Sequence, residues 1–80
     1  MEQYIYIIAY HGAHGIENPI VVTMDRNKLP VLLIENFPNL GKEPLFKLAE
    51  ILQQPDEVLC RQGEGHQLIN GPQLYVFHLE

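Results

Sequence analysis

The chain contains one cysteine, Cys60, and no tryptophan. A lone cysteine cannot form a disulfide within the chain, so burial and hydrogen bonding must hold the fold. Bases are scarce as well: five Lys and Arg stand against ten Asp and Glu, a net charge of −5. That balance argues against nucleic-acid binding, which is made mainly by Lys and Arg contacts to phosphates. No apolar run approaches the ~18 residues of a membrane-spanning helix. The first residues lack the basic flank and apolar segment of a secretory signal, and there is no N-x-[ST] site, so a cytoplasmic, reducing compartment is expected. Catalytic signatures are missing too. There is no G-x-S-x-G and no H-E-x-x-H. Gly41-Lys42 fails as a phosphate loop because its first glycine is absent and Glu43 stands where Ser or Thr belongs.

What remains is a chain of 80 residues, 46% hydrophobic and 19% charged, apolar enough to fold and short enough to form one domain, 1–80. Tyr4-Ile5-Tyr6-Ile7-Ile8-Ala9-Tyr10 is its most informative stretch. Side chains alternate across a strand, so Ile5, Ile7 and Ala9 share one face and Tyr4, Tyr6, Ile8 and Tyr10 the other. The aliphatic face suits a dry core. The tyrosine face suits a half-wet surface, since each ring is apolar and each hydroxyl needs a partner.

Strands are expected at about 3–10, at Ile20-Val21-Val22-Thr23-Met24 and at Pro30-Val31-Leu32-Leu33-Ile34, all rich in β-branched or aliphatic residues. Proline donates no ladder hydrogen bond, so Pro30 fits only at the start of its strand. One helix is expected over about 43–54. Pro44 suits its first turn, and Leu45, Leu48, Ala49 and Leu52 recur at i, i+3, i+4 and i+7. Glu43 and Lys47 form an i,i+4 pair, and Pro55 ends the helix. The remainder reads as β again: a strand over 57–61, a weak one over 66–69 and a third over 73–79. Asn70-Gly71 marks a tight turn between the last two.

Two histidines, His11 and His14, lie in a glycine-rich loop, His11-Gly12-Ala13-His14-Gly15. Paired imidazoles can ligate zinc or copper, with Cys60, Glu64 or His66 as a third ligand. The plainer reading, two histidines in a turn chosen for its glycines, is preferred, and no metal or other cofactor is expected. Cys60 with a histidine would be a minimal nucleophilic pair, but a cysteine among leucine and valine more often packs as a small hydrophobe. No enzymatic activity is expected.

One short helix can cover only one face of a sheet. The other face, carrying the tyrosines, would be a large exposed apolar patch, and such patches usually mark a partner. Tyr4, Tyr6 and Tyr10, with His11 and His14 at the end of the strand, are therefore the candidate partner-binding residues. In size, acidity and cysteine content the chain is similar to the small inhibitors that phage and mobile elements direct at host machinery, anti-CRISPR proteins among them. That likeness is one of build, not of motif. The sequence thus predicts an α+β domain: one sheet of four to six mostly antiparallel strands, the first and last adjacent near its middle, with an amphipathic helix on one face. The expected function is non-enzymatic protein binding, as an inhibitor of a larger machine, a homodimer, or both. A metal-binding protein using the His11–His14 loop is the alternative, followed by a small enzyme or a nucleic-acid binder.

Overall fold

A computed structural model describes residues 3–79. In chain order the elements are β1 (Gln3–Gly12), β2 (Gly15–Thr23), a 3-10 turn (Arg26–Lys28), α1 (Leu29–Asn36), α2 (Glu43–Ile51), α3 (Asp56–Leu59), β3 (His66–Gln67) and β4 (Gln73–Leu79). The four strands form one antiparallel sheet in the order β2-β1-β4-β3. The fold is α+β, with the first and last strands side by side in the middle as expected from their being the most apolar runs.

β1 and β2 are longer than their apolar segments. They continue through the histidine loop to a tight hairpin in which Gly12 faces Gly15, leaving only Ala13 and His14 to turn. The ladder slips between Ile8 and Tyr10, where Asn18, Pro19 and Ile20 intervene on β2. Such a bulge twists an edge strand, and Pro19 removes a donor from it.

Two expected strands are helices. Residues 30–34 lie within α1. Asp25 Oδ1 accepts from the Asn27 N–H at 2.9 Å and starts the 3-10 turn that leads into α1. Pro30 then falls in the first helical turn, where its missing N–H costs nothing. Leu29, Leu33 and Phe37, spaced four apart, all turn into the core. The expected strand over 57–61 is instead the single turn α3 and its exit. Pro55, extended at φ −71°, ψ 156°, caps it, and Asp56 and Glu57 occupy the first turn, where acidic side chains complement the helix dipole. The amphipathic helix, α2, ends at Ile51, slightly short of expectation. Its Leu48 and Ile51 are buried but Ala49 is exposed, so the apolar stripe runs through Pro44, Leu48 and Ile51. Lys47 pairs with Glu50 at 3.5 Å.

All three helices pack on the same side of the sheet. The core joins Tyr6, Ile8, Val21, Leu74 and Val76 from the strands to Leu29, Leu33, Phe37, Leu48, Ile51 and Leu59 from the helical segment, with Leu68 beside them. The expected assignment of faces is therefore reversed: the tyrosine face lies under the helices and the aliphatic face of β1 is the open one.

Candidate protein-binding face

The reversal follows from one polar cluster. Tyr6 is 3% exposed, and its hydroxyl donates to Asp56 Oδ2 at 2.7 Å. Arg26 lies against the other carboxylate oxygen at 3.2 Å and also donates to the carbonyls of Leu52, at 2.5 Å, and Gln54, at 3.2 Å. A single guanidinium thus holds the end of α2, the start of α3 and, through Asp56, the central strand. Burial, followed by the hydrogen bond and the negative charge of Asp56, pushes the Tyr6 phenol far above its usual range. Tyr6 is a core residue whose polar end has found a half-buried charged partner.

The other partner-binding candidates are spread around the molecule. Tyr4 is half-buried and its ring lies 5.0 Å from that of His78. Tyr10 meets Phe37 edge-on at 5.6 Å and helps line a cavity of about 210 Å³ with Pro19, Pro38 and Leu40. His14 is exposed at the hairpin tip. His11 is on the open side, where Tyr75 approaches its Nδ1 at 3.3 Å. The Tyr75 hydroxyl donates to Gln73 Oε1 at 2.6 Å, and Gln73 Nε2 donates to Gln67 Oε1 at 2.8 Å. Gln67 in turn donates to the carbonyls of Leu68 and Gly71. Since the Tyr75 proton is committed to Gln73, His11 acts as the donor to its oxygen. Burial raises the Tyr75 phenol above its usual value.

His11, Gly63, Glu64, Gln73 and Tyr75 line a cleft of about 450 Å³. Gly65, at φ +86°, lies against the Tyr75 ring, where a Cβ would come within 2.8 Å; glycine alone meets both demands. The other possible metal or nucleophile partners do not converge there. His66 Nε2 hydrogen-bonds the Leu59 carbonyl at 2.9 Å, and Cys60 donates to the Glu57 carbonyl at 3.4 Å. Among the described residues no group of three or more His, Cys, Asp or Glu is placed to hold a metal ion.

The face opposite the helices is the feature that tyrosine-centred reasoning missed. Register places Ile7 between Val22 of β2 and Tyr75 of β4, with Ile5 opposite Phe77 and Gln3 opposite Leu79. Val22, Phe77 and Leu79 are exposed, as are Ile20 and Met24 beside them. Ile5 and Ile7 are half-buried by these neighbours, and the Tyr75 and Phe77 rings lie parallel with centroids 6.4 Å apart. No strand residue on this face is Asp, Glu, Lys or Arg. The signal was present in the alternation itself: Val22, Phe77 and Leu79 fall in register with Ile5 and Ile7.

Among the described residues no helix is long and apolar enough to cross a membrane. The chain matches no protein-family model, no curated protein and no solved structure, so its function has to be argued from this face and its chemistry.

Proposed function

We propose that this is a non-enzymatic protein-binding protein and that its binding surface is the open face of the sheet. One observation carries the reading: a contiguous, uncharged apolar surface, centred on Ile5, Ile7, Val22, Phe77 and Leu79, on a chain of net charge −5. Apolar area of this kind gains about 25 cal/mol per Å² when removed from water, and large contiguous patches mark partner sites. His11 and the cleft beside Tyr75 supply a polar rim, as interfaces require around an apolar centre. Such a protein acts by occupying a surface, which suits an inhibitor of a larger assembly as well as a self-associating module.

The test is affinity capture from the lysate of the native host with the wild-type chain and with Val22→Lys. Val22 is 54% exposed on an edge strand, so the substitution leaves the core intact while placing a charge on the face. A protein retained by the wild type and lost with Val22→Lys supports the reading. Equal retention by both chains contradicts it.

A further inference from the structure

We infer that the cleft at the His11 end of the open face is a guanidinium site, and that it takes an arginine side chain of a bound protein. The cleft measures about 450 Å³ and is lined by His11, Gly63, Glu64, Gln73 and Tyr75; sites for small ligands run from ~300 to ~1,000 Å³. Its choice of chemical group rests on its own atoms. That the group belongs to a protein rests on the open face as the binding surface.

Hydrogen bonds run one way along the wall. Main-chain carbonyls only accept, so the end of the Gln67 amide that meets Leu68 and Gly71 is its nitrogen. Gln67 Oε1 then accepts from Gln73 Nε2 at 2.8 Å, and Gln73 Oε1 accepts the Tyr75 proton at 2.6 Å. Tyr75 has no second proton, so the hydrogen that joins it to His11 at 3.3 Å sits on His11 Nδ1. In the neutral ring this leaves Nε2 as a bare acceptor.

Among the described residues neither His11 Nε2 nor the Glu64 carboxylate has a hydrogen-bond or ion-pair partner. No Lys or Arg lines the cleft, and Arg61, close to Glu64 in sequence, forms no ion pair among the described residues. Uncommitted acceptors and a negative charge around a cavity require a cationic donor. A metal ion is a poor match, because no three His, Cys, Asp or Glu converge among the described residues. An ammonium offers its donors from one point, whereas a guanidinium spreads them in a planar fork and stacks on aromatic rings. The acceptors here lie on separate segments, one at the end of β1 and one in the loop before β3, with the Tyr75 ring in the same wall. That arrangement favours the guanidinium. Tyr75 also lies parallel to Phe77 of the open face, with centroids 6.4 Å apart, so one polypeptide can reach both.

Titration of the isotopically labelled full chain in mildly alkaline buffer tests this. The probe is N-acetyl-arginine N-methylamide, and the control is its neutral citrulline analogue at matched chloride. A single side chain detached from its protein is expected to bind with a millimolar constant, about 1–30 mM. His11, Glu64 and Tyr75 signals should shift saturably with the arginine probe and not with citrulline. Ring nitrogen shifts should show His11 protonated at Nδ1 alone. Glu64→Gln removes the charge, and His11→Asn keeps a donor for Tyr75 while removing the Nε2 acceptor. Each variant, its folding checked by its amide spectrum, should weaken binding at least threefold. No saturable shift up to about 100 mM overturns the site, as do equal shifts with citrulline, a His11 ring protonated at Nε2, or unchanged affinity in the folded variants. Lysate capture with Glu64→Gln reads the source of the group. A captured protein that Val22→Lys loses and Glu64→Gln retains undiminished overturns the partner's arginine as the ligand. A capture that Val22→Lys leaves unchanged, with the probe still bound in the cleft, contradicts the open face alone.

Discussion

The Tyr6 hydroxyl donates to Asp56 Oδ2 at 2.7 Å across a separation of 50 residues. The bond joins the middle strand of the sheet to the first turn of α3, and Arg26 holds the same carboxylate from the far side. It explains why a tyrosine occupies a position 3% exposed: the ring fills the core and the hydroxyl meets a charged acceptor.

Tyr6→Phe keeps the ring and removes the donor. Hydrogen bonds to charged groups contribute about 1.5–3 kcal/mol net, and Asp56 keeps its ion pair with Arg26, so a loss of about 1–3 kcal/mol is expected. Urea denaturation measures it. A change below about 0.5 kcal/mol, the range of ordinary surface substitutions, would show that the cluster contributes little.

Stability should also depend on pH in the alkaline range. The Tyr6 phenol titrates far higher in the folded chain than in the unfolded one, where tyrosine ionises near ~10. Below that value the phenol is neutral in both states and its contribution is fully present. As pH rises past ~10 the unfolded state releases its proton first, so stability falls with rising pH. Tyr75, raised by burial, acts in the same direction. Denaturation midpoints should drop as pH rises past ~10, with a shallower drop in Tyr6→Phe. An identical slope in both proteins would contradict the assignment.

Leu48 and Phe46 lie on the same helix with opposite expectations. Leu48 is fully buried and Phe46 is 66% exposed. Leu48→Ala should cost about 2–5 kcal/mol, as core leucine truncations do, and Phe46→Ala should stay within about 0.5 kcal/mol. Thermal or urea unfolding of the two variants separates them.

The sheet and α2 could be read from the sequence because their patterns are periodic. β1 alternates over seven residues, and α2 repeats at helical spacing after Pro44. Residues 30–34 could not be read in the same way. An unbroken apolar run has no period, and β-branched Val31 and Ile34 favour a strand locally. The helical sign spanned the run and its flanks, in Leu29, Leu33 and Phe37 at spacings of four, with Pro30 at a position that suits a helix start as well as a strand start. α3 is a single turn, too short to show a period.

Alternation along β1 established that the strand has two faces but not which one the helices cover. Tyrosine alone suggested the wet side. That choice turns on whether an acceptor waits under the helices for the hydroxyl, and Asp56 is brought there only by tertiary packing. Once Tyr6 faces the helices, Ile5 and Ile7 must face outward, and the candidate binding surface moves with them.

The most direct test compares methyl resonances on the two sides of the molecule. Val22 on the open face and Val31 and Ile34 on α1 are each 54% exposed, so exposure alone does not distinguish them. In methyl spectra of the isotopically labelled chain, recorded as protein concentration rises or as a captured partner is added, Ile5, Ile7, Val22 and Leu79 should shift and broaden. Val31 and Ile34 should stay in place. Shifts confined to Val31 and Ile34, with Val22 and Leu79 unmoved, would place the binding surface on the helical layer and contradict the account.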